Sequence, residues 1–173
     1  MHLRSPAGLS MPWATSLLAS AMASRPTFDP NKIGASDAAH RRNRAVTDIF
    51  EPGSVFKIVT ATAALNEGKI AMTDIVNCEQ GQWQVRPRRV IHDVHPYGSI
   101  TFPEVLVHSS NIGAVKIAMR LGERSLDQYI RNFGFGAMTG IDFPGEVRGI
   151  LRPLEQWSKI SITSLPFGQE VAA

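Results

Sequence analysis

The chain has 173 residues, enough for one domain. With 43% apolar and 19% charged residues it is an ordinary globular composition, which excludes disorder along its whole length. The formal charge of +3 is a small surplus, not the dense basic stripe of a dedicated nucleic-acid binder, and the single cysteine, Cys78, excludes an internal disulfide framework.

In chain order, the first stretch has a signal-peptide outline: Arg4, a mildly apolar run over Met11 to Ala23, and small residues at its end. Pro12, Thr15, Ser16 and Ser20 break that run, so an irregular N-terminus leading into a short strand over Leu17 to Ala23 is the plainer expectation. Arg25 to Asn43 is rich in Pro, Asn, Asp and Gly and reads as loop. Pro52-Gly53 is a turn signal. It opens an apolar helix from Ser54 to Glu67, with Gly68 as its stop. Ile75 to Val90 alternates enough for short strands around Gly81. Thr101-Phe102-Pro103-Glu104 is a capping box with Pro in the first turn, opening a helix to about Val107. A second helix is expected over Ile112 to Leu121, stopped by Gly122. A third starts at Ser125 with Gln128 and stops at Gly134. Phe135 to Arg152 reads as loop with short strands, and Leu154 to Lys159 as a helical turn or two. The mixture is α+β. The chain stops at Val171-Ala172-Ala173 without a polar tail or cap, which suits a domain cut short.

Four residues stand out for chemistry. Ser54-Val55-Phe56-Lys57 places a hydroxyl and an amine three positions apart, on one face of a helix. A serine hydroxyl is a weak nucleophile and needs a base. A lysine serves only if burial lowers its pKa, and Phe56 and Ile58 are the neighbours that could bury it. Taken alone, the tetrad is better explained by a helix N-cap and a surface lysine. Ser109-Ser110-Asn111, an S-x-N triplet between two helices, adds a second hydroxyl and an amide that can both donate and accept. Taken alone, it is also explained by a helix C-cap followed by the next N-cap.

Together with Glu51-Pro52-Gly53 before the serine, Asn43 to Asp48, Ala23 to Asn31, Thr139 to Glu146 and Phe167-Gly168-Gln169, these motifs resemble the transpeptidase domain of class B penicillin-binding proteins. The resemblance covers residues 21–173; residues 1–20 are atypical. It implies the transpeptidase fold shared with serine β-lactamases, present in part: the helical half and short strands, with much of the central antiparallel sheet missing. It implies acyl transfer in bacterial cell-wall synthesis. Ser54 would be the nucleophile on a peptidoglycan stem peptide ending in D-Ala-D-Ala, Lys57 the general base, and Ser109 the proton relay. Asn111 would hold Lys57 and the substrate amide. β-Lactam antibiotics would acylate Ser54, and no cofactor or metal is required. A glycosyltransferase and division or elongation proteins are the implied partners, with no role for nucleic acid; the landmarks lean toward the septal type. The implied location is a membrane-anchored protein with an extracytoplasmic domain.

The family's third motif, K-[ST]-G, is absent from these residues; Lys32-Ile33-Gly34 is in the wrong place and lacks the hydroxyl. The strand carrying that motif supplies the second oxyanion donor, and losing one such donor costs about 2.7–4 kcal/mol in a studied hydrolase. The expectation is a chain inactive or weak when isolated. A serine β-lactamase is a poorer fit: class D enzymes generally carry S-x-V as the second motif, and neither Glu146 nor Glu155 sits in a recognisable deacylating loop. His92-Asp93-Val94-His95 offers ligand types for a metal but reads as an ordinary loop. The clusters His40 to Arg44 and Arg86 to Arg89 read as solvated loops. Cys78 reads as a semi-buried small residue, and Trp83, Trp157 and Phe102 as core or cleft wall.

Overall fold

A computed structural model describes residues 22–173. The signal-peptide outline and the strand expected over Leu17 to Ala23 fall outside those residues, except Met22 and Ala23, which are irregular. The chain divides into two compact units. The smaller, from the described residues up to Asp48 together with Met138–Val147, is built from short turns. Asp29 and Asp37 cap 3-10 helices at Pro30–Ala35 and Ala38–Arg41 by accepting from Asn31 N–H and Ala39 N–H, each at 2.9 Å. A one-turn helix, α1 (Arg44–Thr47), follows, and Arg42 and Arg44 both pair with Asp48. Glu146 accepts from the N–H and hydroxyl of Thr139 at 2.6 and 2.5 Å, which ties the second segment into a loop.

The larger unit, Ile49–Ala137 with Arg148–Ala173, holds the helices and the core. A 3-10 turn, Gly53–Phe56, runs directly into α2 (Lys57–Asn66). The buried face of α2 is made of small residues, Ala61, Ala63 and Ala64, with Val59 and Thr60. It packs on α4 (Asn111–Leu121), whose buried residues include Ala114, Val115 and Ala118. Two small antiparallel sheets lie between them in sequence. β1 (Ile75–Asn77) pairs with β4 (Ser99–Thr101), in the register Val76 to Ile100. β2 (Gln82–Arg86) pairs with β3 (Arg89–His92), Trp83 opposite Ile91, with an irregularity between Gln84 and Arg86. The α+β class and the short strands around Gly81 therefore stand as read from the sequence. α3 (Phe102–Val107) starts where expected, and the Glu104 carboxylate accepts from the N–H and Oγ–H of Thr101, each at 2.7 Å.

The core forms two clusters. One gathers Val76, Cys78, Phe102, Val105, Ile112 and Phe167 among others; the second gathers Phe56, Val59, Leu121, Leu126, Ile130 and Leu165. Phe102 is 1% exposed, and Trp83 and Trp157 pack partly buried against these clusters. Cys78 is fully buried rather than half-buried, because β1 carries it under α4.

Three expectations are corrected. α5 (Glu123–Asn132) begins two residues before Ser125. Gly122 is both the end of α4 and the start of α5, in an extended left-handed conformation (φ 89°, ψ 154°) that reverses the chain without a loop. Phe135 to Arg152 contains no strand, only a bridge from Ile150 to Ala172, its Gly and Pro residues keeping it in turns. Leu154 to Lys159 supplies a single 3-10 turn, Leu154–Gln156, and two further turns not foreseen, Ser161–Thr163 and Leu165–Phe167, complete the buried wall behind α2 and α4.

Candidate active site

The site is assembled around Lys57, which lies at the start of α2 and is 2% exposed. Its amine donates to Ser54 Oγ at 3.2 Å, one turn back on the same face. It also donates to the carbonyl oxygen of Ser109 at 2.5 Å and to Ser109 Oγ at 2.8 Å. Ser54, Lys57 and Ser109 are therefore one contiguous cluster, although Ser109 lies 52 residues beyond Lys57. Burial strips water from the ammonium and lowers the Lys57 pKa from 10.5 to about 8, with the negative charge of Asp93 opposing the fall. Ile58 does not provide that burial. It is 60% exposed, because the next residue on a helix points about 100° away. Phe56 is buried, but in the second core cluster, edge-on to Phe135 with ring centres 5.0 Å apart.

Ser54 is exposed, held out on the turn that enters α2. That turn is clamped from behind. Gly53 N–H donates to the Gly168 carbonyl at 3.2 Å, and Glu170 N–H donates to the Glu51 carboxylate at 2.8 Å. Phe50 and Ala173 exchange backbone hydrogen bonds at 3.0 Å each way. Thr60, one turn further along α2, donates to the Pro166 carbonyl at 3.1 Å. Phe167-Gly168-Gln169, which the sequence marks as a landmark without a role, is thus the brace of the serine turn.

The S-x-N triplet divides its duties. Ser109 has a left-handed backbone (φ 54°), which turns both of its oxygens toward Lys57. Ser110 is fully buried and caps α4 by accepting from Gly113 N–H at 2.9 Å. Asn111 does not meet Lys57 among the described residues. Its amide donates to the His92 carbonyl at 3.0 Å, so it ties α4 to the end of β3. Asp93, read from the sequence only as part of a loop, accepts from Ser110 Oγ–H, Asn111 N–H and Ile112 N–H. Both its oxygens face α4, and among the described residues no group of three His, Cys, Asp or Glu side chains is arranged to hold a metal ion. In the basic clusters, Arg42 and Arg44 pair with Asp48, and Arg89 donates to the Thr163 carbonyl and to Ser164 Oγ.

A hydroxyl on an exposed turn, a buried amine of lowered pKa beside it, and a second hydroxyl on that amine form a serine acyl-transfer arrangement. The penicillin-binding protein transpeptidase domain matches residues 18–173. The chain belongs to that family. It is 40% identical over 152 residues to a probable peptidoglycan D,D-transpeptidase of Pseudomonas aeruginosa, covering 88% of this chain and 27% of that protein. It is 40% identical over 153 residues to the stage V sporulation protein D of Bacillus subtilis, covering 87% and 24%. The chain thus spans about a quarter of the length of the curated relatives it matches. Among solved structures, penicillin-binding protein 3 of Mycobacterium tuberculosis, in complex with aztreonam, superposes with a TM-score of 0.77 at 34% identity, covering 85% of this chain and 33% of that one. The apo transpeptidase domain of penicillin-binding protein 3 from Burkholderia pseudomallei gives 0.73 at 33% identity, covering 76% and 40%. No helix among the described residues is long and apolar enough to cross a membrane.

Proposed function

We propose that this chain serves peptidoglycan D,D-transpeptidation in bacterial cell-wall synthesis and division, with Ser54 as the nucleophile and Lys57 as its base. The observation that carries the reading is the Lys57 amine, buried, 3.2 Å from Ser54 Oγ and with a pKa near 8. A neutral amine has two N–H groups and a lone pair. The two N–H groups keep the bonds to Ser109 O and Oγ, and the lone pair accepts the Ser54 hydroxyl proton. Ser54 Oγ then bonds to the carbonyl carbon between the two D-alanines. The C–N bond breaks, and the proton passes from Lys57 through Ser109 to the departing amine. An amine of a neighbouring stem peptide attacks the ester, returns the proton to Ser54 and completes the cross-link. A β-lactam follows the first half of this path, its opened ring staying tethered to Ser54. Asn111, whose amide donates to the His92 carbonyl, keeps in this proposal only the role of contacting the substrate amide. Cell-wall partners such as a glycosyltransferase, and placement outside the cytoplasmic membrane, are part of the same proposal.

The Ser54 backbone N–H is one oxyanion donor; a second from a K-[ST]-G strand is not among these residues, so acylation of this chain is expected to be slow, by roughly 10²–10³-fold or more. The test is prolonged incubation of the folded chain with millimolar fluorescent penicillin, read by intact mass and peptide mapping, beside Ser54→Ala. A slow adduct on Ser54, absent in Ser54→Ala, is expected. An adduct that survives Ser54→Ala, or none on the folded parent chain, overturns the assignment.

A further inference from the structure

The loop after β3 delivers one carboxylate to the start of α4. Asp93 Oδ2 accepts from Ser110 Oγ–H at 2.6 Å, and Oδ1 accepts from Asn111 N–H at 2.6 Å and Ile112 N–H at 3.0 Å. The loop is itself fixed: Asp93 N–H donates to the Gly81 carbonyl at 3.0 Å, and a Cβ at Gly81 would lie 2.8 Å from the His95 carbonyl oxygen. Among the described residues no lysine or arginine lies within ion-pair distance of Asp93. Its charge is met by the α4 N–H groups and dipole and, through space, by Lys57. The residue immediately before this clamp is Ser109, whose left-handed backbone aims two oxygens at the Lys57 amine. That conformation is uncommon for serine and persists only where the surroundings impose it.

We infer that Asp93 is a positioning residue of this site, anchoring Ser110, Asn111 and Ile112 so that Ser109 meets Lys57. The inference rests on the reading of Ser54 and Lys57 as the reactive pair. The loop carboxylate acts geometrically, through the start of α4, and its negative charge favours the protonated form of Lys57. The other titratable groups around the cluster are Cys78, whose thiol lies 3.2 Å from Ser110 Oγ, and Lys116, which pairs with Glu79 on the outer side of α4; His92 and His95 flank Asp93 on its own loop.

The test uses the full chain with lysines labelled at Cε, following the Lys57 resonance (assigned by its loss in Lys57→Met) against pH, together with amide hydrogen exchange. Asp93→Asn keeps the shape and removes the charge. The Lys57 midpoint is expected to move below that of the parent, and Asn111 and Ile112 to lose about tenfold or more in exchange protection. Ser110→Ala, which retains the charge, is expected to leave the Lys57 midpoint unchanged. Unchanged exchange protection at Asn111 and Ile112 in Asp93→Asn overturns the inference, and a Lys57 midpoint moved as far in Ser110→Ala as in Asp93→Asn overturns the part played by the charge. If Asp93→Asn fails to fold, Asp93→Glu decides: it keeps the charge and displaces the oxygens, so the midpoint stays while the exchange protection falls, and no change in protection sinks the positioning role. Failure of the acyl-transfer reading shows separately, as a parent chain whose Lys57 titrates as described but whose Ser54 takes no label.

Discussion

Replacing Gly168 by alanine isolates the brace behind the serine turn. The residue has φ 81° and ψ 29°, and an added Cβ would lie 2.2 Å from the Gly53 carbonyl oxygen, 2.6 Å from its nitrogen and 2.8 Å from its carbonyl carbon. All three are backbone atoms of the turn that presents Ser54, so no side chain can swing aside. The left-handed backbone costs alanine about 1–2 kcal/mol. Overpacking against fixed atoms adds about 1–3 kcal/mol. The sum, about 2–5 kcal/mol, corresponds to a melting temperature lower by roughly 4–20 °C at 2–4 °C per kcal/mol for a chain of this size. Gly68→Ala separates the two contributions, since Gly68 also has positive φ (61°) but nothing within 4 Å of its added Cβ. It should show the backbone cost alone. Thermal unfolding followed by circular dichroism reads both variants, with Ser54 labelling as a second readout expected to fall in Gly168→Ala only. A Gly168→Ala chain that melts no lower than Gly68→Ala would refute the claim that the 168–53 contact braces the turn.

Two further outcomes follow from the same geometry. With a folded Lys57 pKa near 8 against 10.5 unfolded, the unfolded chain binds the extra proton between those values, so this group's contribution to stability rises with pH from about 8 to 10.5. The difference in unfolding free energy between the parent and Lys57→Met should change by that slope across the window and be flat below it, while Ser54 acylation rises with pH through about 8; an acid limb well above 9 would contradict a desolvated base. Glu104→Ala removes the acceptor for both Thr101 groups at the start of α3 and should lower the denaturant midpoint below that of the parent, and an unchanged midpoint would show the cap to be idle.

Much of the site was legible because it is local. Positions three apart on a helix share a face, so Ser54 and Lys57 could be paired without a fold. Thr101 with Glu104, and Gly122 as a stop, are likewise short-range signals. What was not legible depends on chain reversal. The role of Asp93 appears only when its loop folds against the start of α4; in the sequence its neighbours are two histidines, which suggest a metal more readily than a cap. Ile58 looked like a cover for Lys57 by adjacency, yet adjacency on a helix means the opposite direction. The turns at Ser161–Thr163 and Leu165–Phe167 carry no helical period, since their order comes from burial against α2 and α4.

The brace has a temporal meaning. The contacts that make up the site span three separations along the chain: three residues for Ser54 to Lys57, 52 for Lys57 to Ser109, and 119 for Glu51 to Glu170. A helical turn closes in well under a microsecond, whereas the wider loops must wait for the chain to double back on itself. Ser54 and Lys57 can therefore meet early in folding, and the wall behind them closes later. By the same ordering, in reverse, loosening of residues 168–173 would release the aim of Ser54 before it parts the serine from its lysine, so reactivity is lost in a chain that still holds most of its helices.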